Sequence, residues 1–216
     1  MSTEHERPPP GSVYLERTIP PAYRWARFGG DELTERVPHV SVALAQASCA
    51  EPRVCLMGGS RAGKTSLAVA MIREWVLRTR RPAAFVHAYR LGTARIQHPA
   101  GHGEPEEVAV SMRMPLILLD DLGSERDHAF SAIPDVIFER DAQSLPIWVT
   151  TGLTREQLTE RDGVWFATIA RNGRPTAEII AEMVIELVSV LILPSNSSPE
   201  HNLALPVPEA KLLRQK

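Results

Sequence analysis

The sequence predicts an α/β fold, a doubly wound parallel sheet with helices on both faces. Three observations predict it. Along residues 53–150, short apolar runs alternate with segments of helical apolar spacing, the pattern of strand–helix–strand units built on parallel strands. One run passes straight into a glycine-rich turn and then a helix. Another ends in two adjacent acids, as a strand buried on both faces does when it carries polar groups only at its exit.

The elements follow in chain order. Pro8, Pro9, Pro10, Pro20 and Pro21 mark residues 1–24 as an extended N-terminal arm. Residues 53–57 (Arg-Val-Cys-Leu-Met) form a short apolar strand. Residues 66–79 place Leu67, Ala70, Met71, Trp75 and Arg78 at helical spacing. A second strand covers 83–88. Gly92, Pro99, Gly101, Gly103 and Pro105 make 92–105 a loop, and a short helix follows over 106–113. The continuous apolar run 116–120 is the third strand. A helix spans about 129–142, with Ile133, Val136 and Ile137 as its apolar face, and residues 146–150 are the fourth strand. Glu178, Glu182 and Glu186 recur every fourth residue, so a helix from Thr176 would carry one acidic stripe. Residues 188–193 read equally as the end of that helix or as a fifth strand. Pro194, Pro199, Pro206 and Pro208 mark 194–216 as a loose tail. The globular domain is thus expected over residues 25–193. That length suffices for a nucleotide-binding core and leaves little for a separate helical lid.

Composition narrows the class. The 216 residues are 44% hydrophobic and 23% charged, which fits a folded soluble domain and not a disordered chain. Lys+Arg is 24 against Asp+Glu 26, a net charge of −2, so any nucleic-acid contact should be local. Cys49 and Cys55 are too few for a disulfide framework or a four-ligand zinc site. The first thirty residues hold no long apolar run, and the longest apolar stretch, 183–193, is interrupted by Glu186. A cytoplasmic protein without membrane spans is expected.

The chemistry concentrates in Gly58, Gly59, Ser60, Arg61, Ala62, Gly63, Lys64 and Thr65, followed by Ser66. This string fits G-x-x-x-x-G-K-[ST] and stands between a strand and a helix, which makes it a phosphate-binding P-loop. Backbone amides wrap the phosphates, and the helix N-terminus adds a favourable partial charge. Lys64 reaches the β- and γ-phosphates of ATP, and Thr65 offers a hydroxyl to Mg²⁺. The strand ending in Asp120 and Asp121 supplies the companion acids: Asp120 for the metal, Asp121 to polarise an attacking water. Thr150 and Thr151 end the fourth strand, where a polar side chain can contact the γ-phosphate or the water; threonine also suits a strand end for its own sake.

Three strings resemble one family. Ile19-Pro-Pro-Ala-Tyr-Arg24, Leu118-Leu-Asp-Asp-Leu-Gly123-Ser-Glu125-Arg126 and Val149-Thr-Thr-Gly152-Leu-Thr154, together with the P-loop, resemble AAA+ ATPases of the DnaC/IstB type. These are bacterial and phage helicase loaders and transposition helper ATPases, and the likeness covers roughly residues 17–173. It implies an ATP-dependent protein that forms a nucleotide-dependent homo-oligomer, binds single-stranded DNA, and acts on a replicative helicase or a transposase. The chain departs from the family at two places. Gly152 stands where the family often has Asn. The family's Arg-Tyr-Gly and Ile-Ala-Arg-Arg strings read here as Arg161-Asp162-Gly163 and Ile169-Ala170-Arg171-Asn172, leaving Arg171 as the candidate arginine finger.

Other residues keep two readings. Arg73, Arg78, Arg80 and Arg81 close the helix after the P-loop, where cations favour the terminal carbonyls or could meet DNA. Trp25, Trp75, Trp148 and Trp165 suit a core or a stack of bases. The seven histidines show no metal spacing. Two rival functions remain: a nucleotide-binding interaction module without turnover, and a small-molecule kinase. The second would need an arginine-rich lid, for which loop 92–105 offers only Arg95.

Overall fold

A computed structural model describes residues 10–99, 101–124, 132–154, 157, 170–171, 174–175 and 190–192. Its centre is a five-stranded, all-parallel sheet of β1 (Arg53–Met57), β2 (Ala83–His87), β3 (Leu116–Leu122), β4 (Ile147–Thr151) and a strand at Val190–Ile192, in the order β2-β3-β4-β1 and then Val190–Ile192. The strand carrying the P-loop and the strand carrying the paired acids are therefore separated by β4. Residues 190–192 pair with β1, Cys55 opposite Val190, which resolves the reading of 188–193 in favour of a fifth strand. The acidic-striped helix expected from Thr176 lies outside the described residues, as do Asp162, Trp165 and the tail.

Strand alternation divides the apolar residues between two cores. Val54, Leu56, Ala83, Phe85, Leu116, Leu118 and Trp148 face α4 (Lys64–Thr79) and the N-terminal helices α1 (Pro10–Thr18), α2 (Asp31–Arg36) and α3 (His39–Ala47). Cys55, Met57, Ala84, Ile117, Leu119, Ile147 and Val149 face α5 (Ala88–Gln97), α6 (Glu106–Arg113) and α7 (Ala132–Ala142). The sheet is doubly wound, as expected. Among the described residues no helix is long and apolar enough to cross a membrane. In a second sheet, β5 (Ala170–Arg171) and β6 (Arg174–Pro175) pair as an antiparallel ribbon, and Val190–Ile192 is β7.

Two local expectations change. Residues 1–24 were expected to be an extended arm, yet 10–18 are helical and packed. Pro10 opens α1, where a missing N–H costs nothing. Leu15 and Ile19, four apart, are each 1% exposed in the core. Gly11 lies so close to the chain at Arg81 that an added Cβ would stand 2.7 Å from that carbonyl oxygen. Thr18 then closes the sheet's β2 edge: its Oγ1 accepts a hydrogen bond from the Phe85 amide at 3.0 Å and donates to the Leu15 carbonyl at 2.8 Å. The second change is at 92–105, where the helix α5 runs on to Gln97. Gly92 is buried inside it, so tertiary packing outweighs its low helix propensity. Beyond α5, Arg95 donates to Glu104 at 2.7 and 2.9 Å and to Asp135 at 2.6 Å, folding the connection back onto α7.

Three arginines of the basic cluster, Arg73, Arg78 and Arg81, have partners within the fold. Arg73 grips Glu16 of α1 through two bonds of 2.7 and 2.8 Å and donates to the carbonyls of Arg24 and Ala26. Arg78 pairs with Glu74 one turn away, and the Arg81 guanidinium lies 6.0 Å from the Trp75 ring centre. Trp148 is 1% exposed and donates from Nε1 to the Glu51 carbonyl, a core role. Trp25 is half-buried, with Arg36 stacked 4.5 Å from its ring. At the sheet's N-terminal edge, the fully buried Arg140 of α7 donates to the carbonyls of Ser111, Met114 and Pro146.

Candidate functional site

The strands end together on one edge of the sheet, and the P-loop spans residues 58–63 between β1 and α4. Gly63 takes φ +83°, a left-handed conformation that turns the chain into α4. An added Cβ there would meet Val37 Cγ2 at 2.7 Å, so the N-terminal segment forms the loop's floor. Ala62 is buried against this floor, while Gly59, Ser60 and Arg61 are exposed. Among the described residues no side chain caps α4, leaving the first-turn amides near Lys64, Thr65 and Ser66 to serve an anion. The Lys64 ammonium donates to the carbonyls of Gly58 and Gly59 at 2.8 and 2.7 Å, holding the loop closed on itself. Partial burial lowers its pKa, and the charges of Asp121 and Asp120 act in the opposite sense.

Asp120 is the hub. It is 4% exposed, and its Oδ1 accepts from Thr65 Oγ1 at 2.9 Å and from Thr150 Oγ1 at 2.7 Å. Burial raises its pKa against the pull of these hydroxyls and of nearby His87. Two hard oxygen donors, the Thr65 hydroxyl and the Asp120 carboxylate, thus converge beside the P-loop, the donor chemistry that Mg²⁺ takes. The next residue breaks the strand's regularity. Asp121 has φ +60°, and the β3–β4 register slips between Leu119 and Leu122. Its amide donates to Thr150 Oγ1 at 2.9 Å, and its carbonyl accepts from the amide and hydroxyl of Ser124 at 3.1 and 2.8 Å.

Lys64, Thr65, Asp120, Asp121 and Thr150 are therefore gathered at one edge. Thr151 is fully buried, donating to the Leu122 carbonyl and accepting from the Leu153 amide. Gly152 is exposed, with nothing within 4 Å of the position a Cβ would take. Arg171 falls in the separate β5–β6 ribbon, opposite Arg174. Glu125 and Arg126 lie outside the described residues.

Two contributors were not visible in the sequence. His87 ends β2 in register with Asp120; only the strand order makes them neighbours. Val37 supports Gly63 from 26 positions away, beyond the reach of any local motif. Among the described residues no group of three or more His, Cys, Asp or Glu side chains gathers as a metal cluster. Cys49 and Cys55 are buried and free, each thiol pushed up to about 12 by burial.

No family model matches the chain. Solved structures do. The crystal structure of the DnaC helicase loader aligns over 81% of this chain and 100% of its own, with a TM-score of 0.61 and 20% identity. DnaI aligns over 82% of this chain and 92% of its own, with a TM-score of 0.57 and 21% identity. AMPPCP-bound DnaA from Aquifex aeolicus aligns over 82% of this chain and 51% of its own, with a TM-score of 0.53 and 14% identity. At such identities the likeness is one of fold. Among curated proteins, a short local match joins the chain to the glycine–tRNA ligase beta subunit of Phenylobacterium zucineum, 76% identical over 34 residues. The match takes in 16% of this chain and only 5% of that protein, and a similar one to the Paracoccus denitrificans subunit takes in 6% of its length. Such a match speaks only for the residues it covers.

Proposed function

We propose that this chain, whose α/β P-loop fold is the AAA+ fold of the DnaC/IstB type, binds ATP with Mg²⁺ and hydrolyses it while acting on a replicative helicase or a transposase. The observation that carries the nucleotide reading is the 2.9 Å bond between Thr65 and Asp120, which brings P-loop hydroxyl and strand-end acid to one point. Lys64 leaves the loop carbonyls for the β- and γ-phosphates, and the uncapped start of α4 receives them. Thr65 and Asp120 hold the metal, which when bound neutralises phosphate charge. Asp121, freed from the strand's regular alternation, orients the attacking water. Arg171 acts in trans on a neighbour's nucleotide, which requires an oligomer, and single-stranded DNA binds locally.

Titration of a fluorescent ATP analogue with and without Mg²⁺, beside turnover with and without single-stranded DNA and helicase, tests this reading. Lys64→Ala should weaken binding by about 10- to 100-fold. A wild-type chain that binds no nucleotide overturns the proposal. A second reading, a nucleotide-binding module without turnover, has an observation of its own: Thr151 is committed within the fold and Gly152 carries no side chain. Tight binding with no hydrolysis under any partner condition favours it. A chain that stays monomeric with a non-hydrolysable analogue at every concentration removes the role in trans of Arg171.

A further inference from the structure

The end of β4 is where a side chain could reach the nucleotide, and the one proton of the Thr150 hydroxyl is already given. A threonine hydroxyl has one proton to give. Thr150 gives it to Asp120 Oδ1 at 2.7 Å and accepts the Asp121 amide at 2.9 Å, all at 1% exposure. Its hydroxyl joins the side chain of one acid to the backbone of the next. That backbone is unusual: φ at Asp121 is +60°, in the left-handed region that side chains other than Gly rarely adopt. Regular alternation would send the carboxylates of Asp120 and Asp121 to opposite faces of the sheet. The slip in register between Leu119 and Leu122 is the device that re-aims a strand residue. Ile117, Leu119 and then Leu122 line the α5–α7 core, so the slip takes Asp121 out of the alternation that would have placed it on that face. Asp120, bonded to Thr65 of α4, marks the other face.

We infer that Thr150 is a positioning residue: it locks the bulge that turns Asp121 toward the P-loop and at the same time orients Asp120, without itself touching the nucleotide. Ser124, bonded to the Asp121 carbonyl, holds the other side of the same turn. The inference rests on the ATP–Mg²⁺ reading above for its catalytic consequence, and on geometry alone for the lock.

Thr150→Val keeps the shape and removes both bonds; Thr150→Ser keeps the hydroxyl. With Val, kcat should fall by about 100-fold, the cost of a misplaced group, while KM for ATP changes little and half-maximal activity needs more Mg²⁺. The ratio of ATP to ADP affinity should stay at the wild-type value. Ser should restore all of these. Amide hydrogen exchange gives a readout independent of activity: protection of the Asp121 amide should be lost with Val and kept with Ser. Should Val prevent folding, Thr150→Ala takes its place in each measurement. Unchanged kcat with unchanged Asp121 protection overturns the lock, and so does a collapse of ATP-over-ADP discrimination, which would put Thr150 on the γ-phosphate. A wild type without Mg²⁺-dependent nucleotide binding instead overturns the ATP reading, and the exchange measurement still decides whether Thr150 holds Asp121.

Discussion

Thr65 Oγ1 and Asp120 Oδ1, 55 positions apart in sequence, are joined by a 2.9 Å hydrogen bond that ties the start of α4 to the end of β3. The carboxylate at its receiving end is buried, and burial raises its pKa. An acid whose folded pKa stands above its unfolded value lets the folded state hold more protons between the two. Stability then falls as pH rises from the ordinary carboxylate range through the raised value. Above that raised value, in the metal-free chain, ionised Asp120 is a net cost. Asp120→Asn should raise the neutral-pH melting temperature of the nucleotide-free protein, flatten its slope on the acid side, and remove the added stabilisation by Mg²⁺ and ATP. Thermal melts across the acid-to-neutral range check this; a variant that melts lower at neutral pH contradicts it.

Lys64 is held by two carbonyls of its own loop. Lys64→Met should leave the melting temperature near wild type and weaken ATP binding by about 10- to 100-fold, the scale of a lost hydrogen bond to a charged group. Because burial lowers the Lys64 pKa, the wild-type affinity should begin to fall below the usual lysine range as pH rises. Isothermal titration with the analogue at increasing pH measures both.

Arg73 bonds Glu16 and two backbone carbonyls, with 12% of its side chain exposed. Arg73→Ala should cost about 2 kcal/mol and loosen α1 first. Limited proteolysis should then cut within residues 10–30 before the rest of the domain, and hydrogen exchange should rise at the Phe85 amide that Thr18 accepts.

Arg140 is a buried cation whose pKa burial lowers to about 10, held by three carbonyls. Its removal strands those acceptors. Arg140→Ala should cost about 3 kcal/mol or more, at about 1–3 kcal/mol for each carbonyl left unsatisfied, or roughly 10 °C in melting temperature, without changing the nucleotide affinity of the folded fraction. Urea unfolding beside ATP titration separates the two effects.

The strand–loop–helix around Lys64 and the apolar run into Asp120 were readable because each signal lies within a few consecutive residues. The helix at Pro10–Thr18 was not, because prolines at 8–10 and 20–21 mask the fact that one of them opens a helix and that Leu15 and Ile19 share its buried side. Gly92 reads as a breaker in sequence and is packed inside α5 in space. At the site, residue types pointed to Thr150 and left its partners undefined, since only the β3–β4 pairing and the slip after Leu119 bring its hydroxyl to both Asp120 and Asp121. The neighbourhood of His87 follows from strand order, which no local spacing encodes.

The contact between Gly63 and Val37 has a mechanical consequence. A side chain at position 63 would press on Val37, which is only 3% exposed, so only a residue without a Cβ fits above it. Val37 closes α2, and Pro38 behind it opens α3. The phosphate cradle thus rests on a residue that joins two helices outside the sheet. A chain shortened to begin at residue 50 would keep every residue of the motif and lose the anvil against which the loop is shaped.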